Sequence, residues 1–237
     1  NNRLEKITRP NGNTIQYDYN KLDALLQTDY SEEADGQVLY TYDEEGKRLS
    51  MSDLTGTSTY QYDADGRITG VQQGDGSVIL YNYDSYGNLA KLIYPDGSEV
   101  QYEYDALDRL IKVTDREGKE TGYTYDVAGN MTEVLRANQT SAKLTYDAAH
   151  QVTEIQNRDA KGKTISTYRY TYDLSGYILT ESIKTKEETK GSNYGYDAAG
   201  QLSEIVMKDS EDKVIQRVTY AYDGAGNKIE VRQSTEN

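Results

Sequence analysis

The sequence has no Cys, no Phe and no Trp, and it has only two Pro and one His among 237 residues. The absence of Cys excludes disulfides, thiol catalysis and Cys-based zinc sites. No apolar run approaches the roughly 20 residues that a membrane-spanning helix needs, and residues 1–30 lack the pattern of a signal peptide. We therefore expect no insertion into a membrane.

Positive charge and aliphatic residues are also scarce. The 26 Lys and Arg stand against 40 Asp and Glu, which gives a net charge of -14. Phosphate binding needs clustered Lys and Arg, so we expect no nucleic-acid partner. Leu, Ile and Val together supply 42 of the 237 residues, a composition that with this net charge is typical of disordered chains. The sequence nevertheless contains 24 Tyr, and their positions indicate order.

The tyrosines belong to a tandem repeat of the pattern Y-x-Y-D, two variable residues, Gly, a polar residue, then Leu or Ile. Ten copies, spaced 20 to 26 residues apart, cover nearly the whole chain and contain 19 of the 24 Tyr. We assign a structural role to the best-formed copies. Their motif residues are Tyr60, Tyr62, Asp63, Gly66, Tyr81, Tyr83, Asp84, Gly87, Tyr102, Tyr104, Asp105, Tyr123, Tyr125, Asp126 and Gly129.

Each copy predicts a strand followed by a tight turn. Tyr60 and Tyr62 are two residues apart and therefore lie on one face of a strand. The Asp opens a type I turn, and its carboxylate accepts hydrogen bonds from backbone N–H groups two or three residues on. The Gly position suits positive φ in a bulged hairpin. Its non-Gly occupants are Asp23, Asp108 and His150, which are residue types enriched at positive φ, so we predict left-handed backbone in all ten copies.

A second short strand follows each turn, and a second turn leads to the next copy. Pro95-Asp96-Gly97 and Asp75-Gly76 are strong signals for these second turns. In the second strand, apolar residues such as Ile68 and Val71 lie three apart, which a flat strand would place on opposite faces. A bulge, or burial on both faces, would reconcile this spacing. The sequence leaves both explanations open.

The predicted fold class is all-β: tandem β-hairpin repeats that form one long, curled antiparallel sheet, a partial β-spiral or shell. About twenty strands at about 4.8 Å would span roughly 95 Å. Strongly twisted open sheets rarely exceed about 10 strands without curling. Tyr in place of Phe predicts stacked rings whose hydroxyls reach water or a polar partner. We expect residues 1–237 to be a single array cut from a longer one, because both ends match the second strand of a repeat.

The pattern Y-x-Y-D-x-x-G-[RNQ]-[LI], with its intervening P-D-G or D-G turn, resembles the Rhs or YD repeat. That family includes bacterial polymorphic toxins, wall-associated proteins, shell components of insecticidal toxin complexes, and teneurins. The resemblance implies a secreted or cell-surface bacterial protein and a segment of a hollow β-shell. In toxin members the shell encapsulates a C-terminal toxin. The implied partners are the rest of the repeat array and an enclosed toxin domain.

Other functions can be read from the same residues. Asp84 and Asp105 could form a glycosidase pair, the turn 63–66 could bind calcium, and His150 could act as a base. Repetition favours turn formation for each, and we see no repeat whose carboxylates depart from the rest. We therefore predict a non-enzymatic chain with no catalytic, cofactor or metal residues. Sugar stacking on Tyr makes a glycan-binding or adhesion module the alternative, and exposed edge strands predict self-association.

Overall fold

The structure is a computed structural model that describes residues 3–32 and 36–235. The chain forms two compact units, Asn1–Gly118 and Lys119–Asn237. The regular structure of the described residues consists of β-strands. These residues contain no helix that is long and apolar enough to cross a membrane. The predicted all-β fold of tandem antiparallel hairpins is confirmed, whereas the single array over residues 1–237 stays a prediction.

The first unit is a meander of short strands. Its described strands are β1 (Lys6–Thr8), β2 (Thr14–Tyr19), β3 (Leu25–Tyr30), β4 (Gln37–Tyr42), β5 (Arg48–Asp53), β6 (Gly56–Tyr62), β7 (Ile68–Gln72), β8 (Val78–Tyr83), β9 (Leu89–Ile93), β10 (Glu99–Tyr104) and β11 (Leu110–Thr114). From β1 to β11, each strand pairs antiparallel with the next in the chain. The Y-x-Y-D turns join each even-numbered strand to the odd-numbered strand that follows it.

The second unit repeats this topology with longer strands. Its described strands are β12 (Glu120–Tyr125), β13 (Met131–Leu135), β14 (Ser141–Tyr146), β15 (Val152–Arg158), β16 (Thr164–Tyr172), β17 (Ile178–Thr185), β18 (Thr189–Tyr196), β19 (Leu202–Lys208), β20 (Val214–Tyr222) and β21 (Lys228–Thr235). They too pair antiparallel in chain order. The longest, β16 and β20, have nine residues each.

Burial in both units is shallow. Among the described residues, the buried apolar side chains are Ala142, Val206 and Val218, all in the second unit. Along strands such as β8, half-buried residues alternate with exposed ones, and the half-buried set includes both motif tyrosines. A single sheet layer produces this pattern because side chains on its apolar face cover one another without a second layer above them.

The left-handed backbone that the sequence predicts is confirmed in every copy. All ten positions have φ between 59° and 93°, including the three without Gly. These positions are Asp23, Gly46, Gly66, Gly87, Asp108, Gly129, His150, Gly176, Gly200 and Gly226.

The hairpin register explains the apolar spacing that the sequence left open. Tyr60 lies opposite Val71 and Tyr62 lies opposite Ile68, with a register shift between the two pairs. One extra residue in the second strand, Thr69, forms a bulge, so Ile68 and Val71 face the same side as the tyrosines. The same shift occurs in all ten hairpins. The bulge is therefore part of the repeat.

Candidate functional site

The motif Asp closes its own turn with one carboxylate oxygen. Asp63 Oδ1 accepts hydrogen bonds from the backbone N–H of Asp65 at 3.0 Å and of Arg67 at 2.9 Å. The other nine motif residues make the same two contacts, with residues two and four positions on, at 2.8–3.1 Å. The sequence predicted donors two or three residues on. The third residue is not the donor because Gly66 N–H already donates to the Asp63 carbonyl at 3.0 Å.

In two copies of the first unit, the second carboxylate oxygen binds an Arg side chain. Arg67 Nε donates to Asp63 Oδ2 at 2.8 Å, and Arg109 Nε donates to Asp105 Oδ2 at 2.7 Å. The Arg67 backbone N–H, followed by its guanidinium, lowers the pKa of Asp63, and the Arg109 side chain lowers the pKa of Asp105. Asp65, the other carboxylate of the turn once considered for calcium, lies 3.0 Å from Arg67. The lowered pKa values and the hydrogen bonds of Asp63 and Asp105 do not suit a general acid.

Amides take the place of the Arg side chains in other copies. In the second unit Asn130 Nδ2 donates to Asp126 Oδ2 at 2.9 Å, and Asn227 Nδ2 donates to Asp223 Oδ2 at 3.0 Å. In the first unit Asn88 Nδ2 donates to Asp84 Oδ2 at 3.3 Å. The amide hydrogen bonds lower the pKa of Asp126 and Asp223. The copies of the repeat therefore close the same turn with different chemistry.

The second Tyr of the motif joins its hairpin to the preceding one. Tyr83 donates its hydroxyl proton to the carbonyl of Ile68 at 2.8 Å. The ladder between β7 and β8 ends at the pair Gly70–Leu80, so the Ile68 carbonyl beside the bulge has no strand partner. Eight further hairpins make this contact at 2.7–3.1 Å. The pairs are Tyr19–Leu4, Tyr42–Leu25, Tyr62–Arg48, Tyr104–Leu89, Tyr146–Met131, Tyr172–Val152, Tyr196–Ile178 and Tyr222–Leu202.

This contact gives a physical reason for Tyr at the second position. A Phe would fill the same space but leave the bulge carbonyl without a donor. The expectation of stacked rings applies to Tyr177 and Tyr196, whose ring centroids lie 4.8 Å apart. Most other motif rings lie opposite an aliphatic residue, as Tyr83 lies opposite Leu89. Burial raises the pKa of Tyr83, in keeping with a hydroxyl turned toward the protein backbone.

Basic side chains lie over several tyrosine rings. In the first unit the Arg48 guanidinium lies 4.8 Å from the ring centroid of Tyr60 and 5.9 Å from that of Tyr40. Arg67 lies 4.8 Å from the ring of Tyr83, in the next hairpin. Such cation–π contacts contribute about 0.5–1 kcal/mol at exposed sites. Arg67 thus connects its own turn to the following repeat.

The three non-Gly residues at the Gly position of the motif each hydrogen-bond to a residue of the preceding repeat. The contacts join Arg3 Nη1 to Asp23 Oδ1 at 2.7 Å, Asn88 Nδ2 to Asp108 Oδ1 at 2.8 Å, and His150 Nδ1 to Asn130 Oδ1 at 2.9 Å. Each contact offers a reason for a side chain where the backbone favours Gly. His150 is therefore engaged with an amide of the neighbouring turn, and among the described residues no carboxylate orients it as a catalytic base.

Sequence reasoning missed one departure from the repeat. Glu181 in β17 lies opposite Tyr170, at a position where the other copies carry an uncharged residue. The expectation that no carboxylate departs from the pattern is therefore wrong. Glu181 was not recognised in the sequence because the bulge shifts the pairing. The residue opposite the first Tyr can be compared between copies only once the register is known.

Comparison with known families agrees with the repeat geometry. The Teneurin YD-shell profile matches residues 96–237, and the RHS repeat profile matches residues 62–99. Hairpins of this kind define the class of YD-repeat shell proteins. Because the first match covers more than half of the sequence, the chain belongs to the Teneurin YD-shell family. No curated protein matches it in sequence.

Solved structures share the fold. The crystal structure of TcdB2-TccC3 is 16% identical with a TM-score of 0.62, and the match covers 98% of this chain and 15% of that chain. The structure of TcdB2-TccC3 without the hypervariable C-terminal region is also 16% identical, with a TM-score of 0.62 and coverage of 95% and 14%. The chain thus spans about 15% of the length of the structures it matches.

Proposed function

We propose that the chain is a structural, non-enzymatic segment of the wall of a β-shell in a large secreted or cell-surface YD-repeat protein. The observation that carries this proposal is the hydroxyl–carbonyl contact between successive hairpins. Within each unit it ties successive repeats together without a deep core, which is the requirement of a wall one layer thick. The family match and the fold of TcdB2-TccC3 support it.

A structural role also fits the state of the motif carboxylates. In every copy the Asp or Asn side chain accepts two backbone hydrogen bonds within its own turn, as at Asp84. A glycosidase pair would need one protonated acid and one free carboxylate, with a substrate between them. The lowered pKa of Asp105 works against a protonated acid at that position.

The partners that we propose are neighbouring repeats of the same array and a polypeptide enclosed by the shell, a toxin domain in the case of a toxin. Self-association through edge strands stays a prediction, as does glycan binding. The most exposed tyrosine for a sugar is Tyr86, which is 83% exposed at a turn tip.

Electron microscopy of the native protein that contains this sequence tests the shell. We expect a hollow particle whose wall includes the repeat, with density for a polypeptide inside. A solid particle, or repeats extended as an open rod, would contradict the proposal. Glycan-array binding by the chain that is lost in Tyr86→Ala would favour the adhesion alternative.

A further inference from the structure

Glu181 is a charged residue at a position where the other nine repeats carry an uncharged one. It faces Tyr170 across the β16–β17 pair, on the tyrosine side of the sheet. The equivalent residues elsewhere are uncharged: Thr28, Met51, Val71, Leu92, Val113, Val134, Ile155, Ile205 and Val231. In a repeat protein the other copies show what the position needs for packing alone. A departure from that pattern marks a functional or strained site.

The surroundings of Glu181 keep its carboxylate in place. The Tyr194 hydroxyl donates to Glu181 Oε2 at 2.7 Å, and Ser192 lies opposite Glu181 in β18. All three residues and Tyr170 are half-buried. Burial, followed by the hydrogen bond to Glu181, raises the pKa of Tyr194 to about 12. Burial, followed by the charge of Glu181, also raises the pKa of Tyr170.

The charge of Glu181 is left without a basic partner in the part of the chain that the structure describes. The half-buried glutamates Glu133, Glu154 and Glu204 of the second unit differ, because each lies within ion-pair distance of a Lys or Arg, as Glu154 Oε2 does at 2.6 Å from Arg169 Nε. A half-buried carboxylate costs more than an aliphatic side chain unless a charge or several donors match it. The hydroxyls of Tyr194 and Tyr170 satisfy at most two of its roughly four acceptor sites and bring no positive charge.

The tyrosine face already holds cations at comparable positions. Arg48 lies opposite Tyr42, where most repeats carry an aliphatic residue, and it rests over two tyrosine rings. Lys228 occupies the corresponding position opposite Tyr222, with its ammonium 4.5 Å from the ring centroid of Tyr220. The basic side chains that replace an aliphatic residue, Arg48 and Lys228, thus lie against tyrosine rings of the chain itself. Glu181, the acidic residue on this face, has no basic side chain beside it among the described residues.

We infer that Glu181, flanked by Tyr170 and Tyr194, binds a protonated amine or guanidinium group from a Lys or Arg side chain of a polypeptide partner. The carboxylate supplies a charged acceptor, which makes stronger hydrogen bonds than a neutral one. The two rings supply the faces that attract a cation. This site does not depend on whether the wall encloses a cavity.

Titration calorimetry of the whole chain at low salt, with acetylated tetralysine and tetraarginine amides as probes, tests the site. We expect saturable binding that Glu181→Gln weakens about fivefold or more, the scale of one well-placed charge pair. The matched control is Glu154→Gln, which removes the same charge from an existing ion pair and should change affinity less than about twofold.

Three results would overturn the inference: no saturable binding, equal weakening by both variants, or spermidine binding as tightly as the peptides. The second would show a response to net charge alone, and the third would assign the site to free polyamines. Glu181→Val restores an uncharged residue of the kind found in other repeats, so it should fold even if Glu181→Gln does not. Its peptide affinity should equal that of Glu181→Gln.

Discussion

The two units build the same hairpin from different side chains and different strand lengths. In the first unit the residue that follows the left-handed position is often basic, as at Lys47, Arg67 and Arg109. In the second unit the same position is neutral: Asn130, Gln151, Tyr177, Gln201 and Asn227. An Arg–Asp ion pair thus closes the turns of Asp63 and Asp105 in the first unit, whereas an Asn amide closes the turn of Asp84 in the first unit and those of Asp126 and Asp223 in the second.

Strand length separates the units further. The strands of the first unit have three to seven residues, and those of the second have five to nine. The added residues lie away from the tyrosine pair and extend the ladder, as in the seven paired positions of β16 and β17. The buried apolar side chains Val206 and Val218 lie in these longer strands. Short repeats therefore depend on turn contacts, whereas long repeats add cross-strand packing.

The substitution with the largest expected effect lies at a tight second turn of the first unit. Gly56 has φ +127°, and a Cβ there would lie 2.6 Å from the Gly74 carbonyl oxygen. We expect Gly56→Ala to destabilise the first unit by about 3 kcal/mol or more, through a clash added to backbone strain. Residue-resolved hydrogen exchange on the full chain should show this loss while the second unit stays protected.

The matched control for that variant is Gly76→Ala. Gly76 has φ +86° with no heavy atom within 4 Å of an added Cβ, so the substitution should cost about 1–2 kcal/mol from strain alone. Equal losses in the two variants would mean that the approach of Gly56 to Gly74 contributes nothing.

The hydroxyl–carbonyl contact should contribute equally to the free energy of unfolding in both units. Tyr83→Phe in the first and Tyr172→Phe in the second each leave a bulge carbonyl without its donor. We expect each to lose about 1 kcal/mol in chemical denaturation. Tyr81→Phe is the control, because no hydrogen bond is recorded for the Tyr81 hydroxyl among the described residues. A comparable loss in Tyr81→Phe would show that the ring environment, rather than the carbonyl, requires Tyr.

Acid should distinguish the two ways of closing the turn. The pKa values of Asp63 and Asp105 are lowered by Arg contacts, and those of Asp126 and Asp223 by Asn contacts. A lowered folded pKa gives stability that is complete above the unfolded value of about 4 and is lost as pH falls through the folded value.

Protonation of Asp63 or Asp105 also removes an ion pair, so we expect the repeats that contain them to lose more amide protection below about pH 4 than the repeats of Asp126 and Asp223. NMR spectra of the full chain between pH 6 and 2 measure this. Asp63→Asn should reduce the difference, whereas Asp126→Asn should enlarge it because it removes an acid-sensitive group from the second set. Equal loss in the two sets of repeats would contradict the comparison.

The smallest change in stability is expected at Asp108 and His150, which carry a side chain where the left-handed backbone favours Gly. Asp108→Gly and His150→Gly relieve backbone strain of about 1–2 kcal/mol and each lose one exposed hydrogen bond worth about 0.5–1.5 kcal/mol. We expect net changes within about 1 kcal/mol in thermal unfolding. Asp108→Ala keeps the strain and loses the bond, so it should be clearly less stable than Asp108→Gly. The reverse order would contradict the strain argument.

Much of the repeat was predictable because its chemistry is local. The Asp that opens each turn and the left-handed residue three positions later depend on backbone preferences that act within one turn. Even Asp108 and His150 were recognisable at positive φ from residue type. One of the two donors to Asp63 was misplaced by one residue, because the Gly66 N–H donates to the Asp63 carbonyl and the Arg67 N–H donates to the carboxylate instead.

The sequence by itself determined that the chain is all-β, where each hairpin turns, and which residues take left-handed backbone. These properties follow from short-range sterics and from a period that repeats ten times. Only the tertiary structure decided three features: the bulge, the carbonyl that accepts from the second tyrosine hydroxyl, and the lack of a basic partner for Glu181 among the described residues. Each of these depends on which residue of a neighbouring strand lies opposite, and a one-residue shift in register changes the face on which a side chain lies.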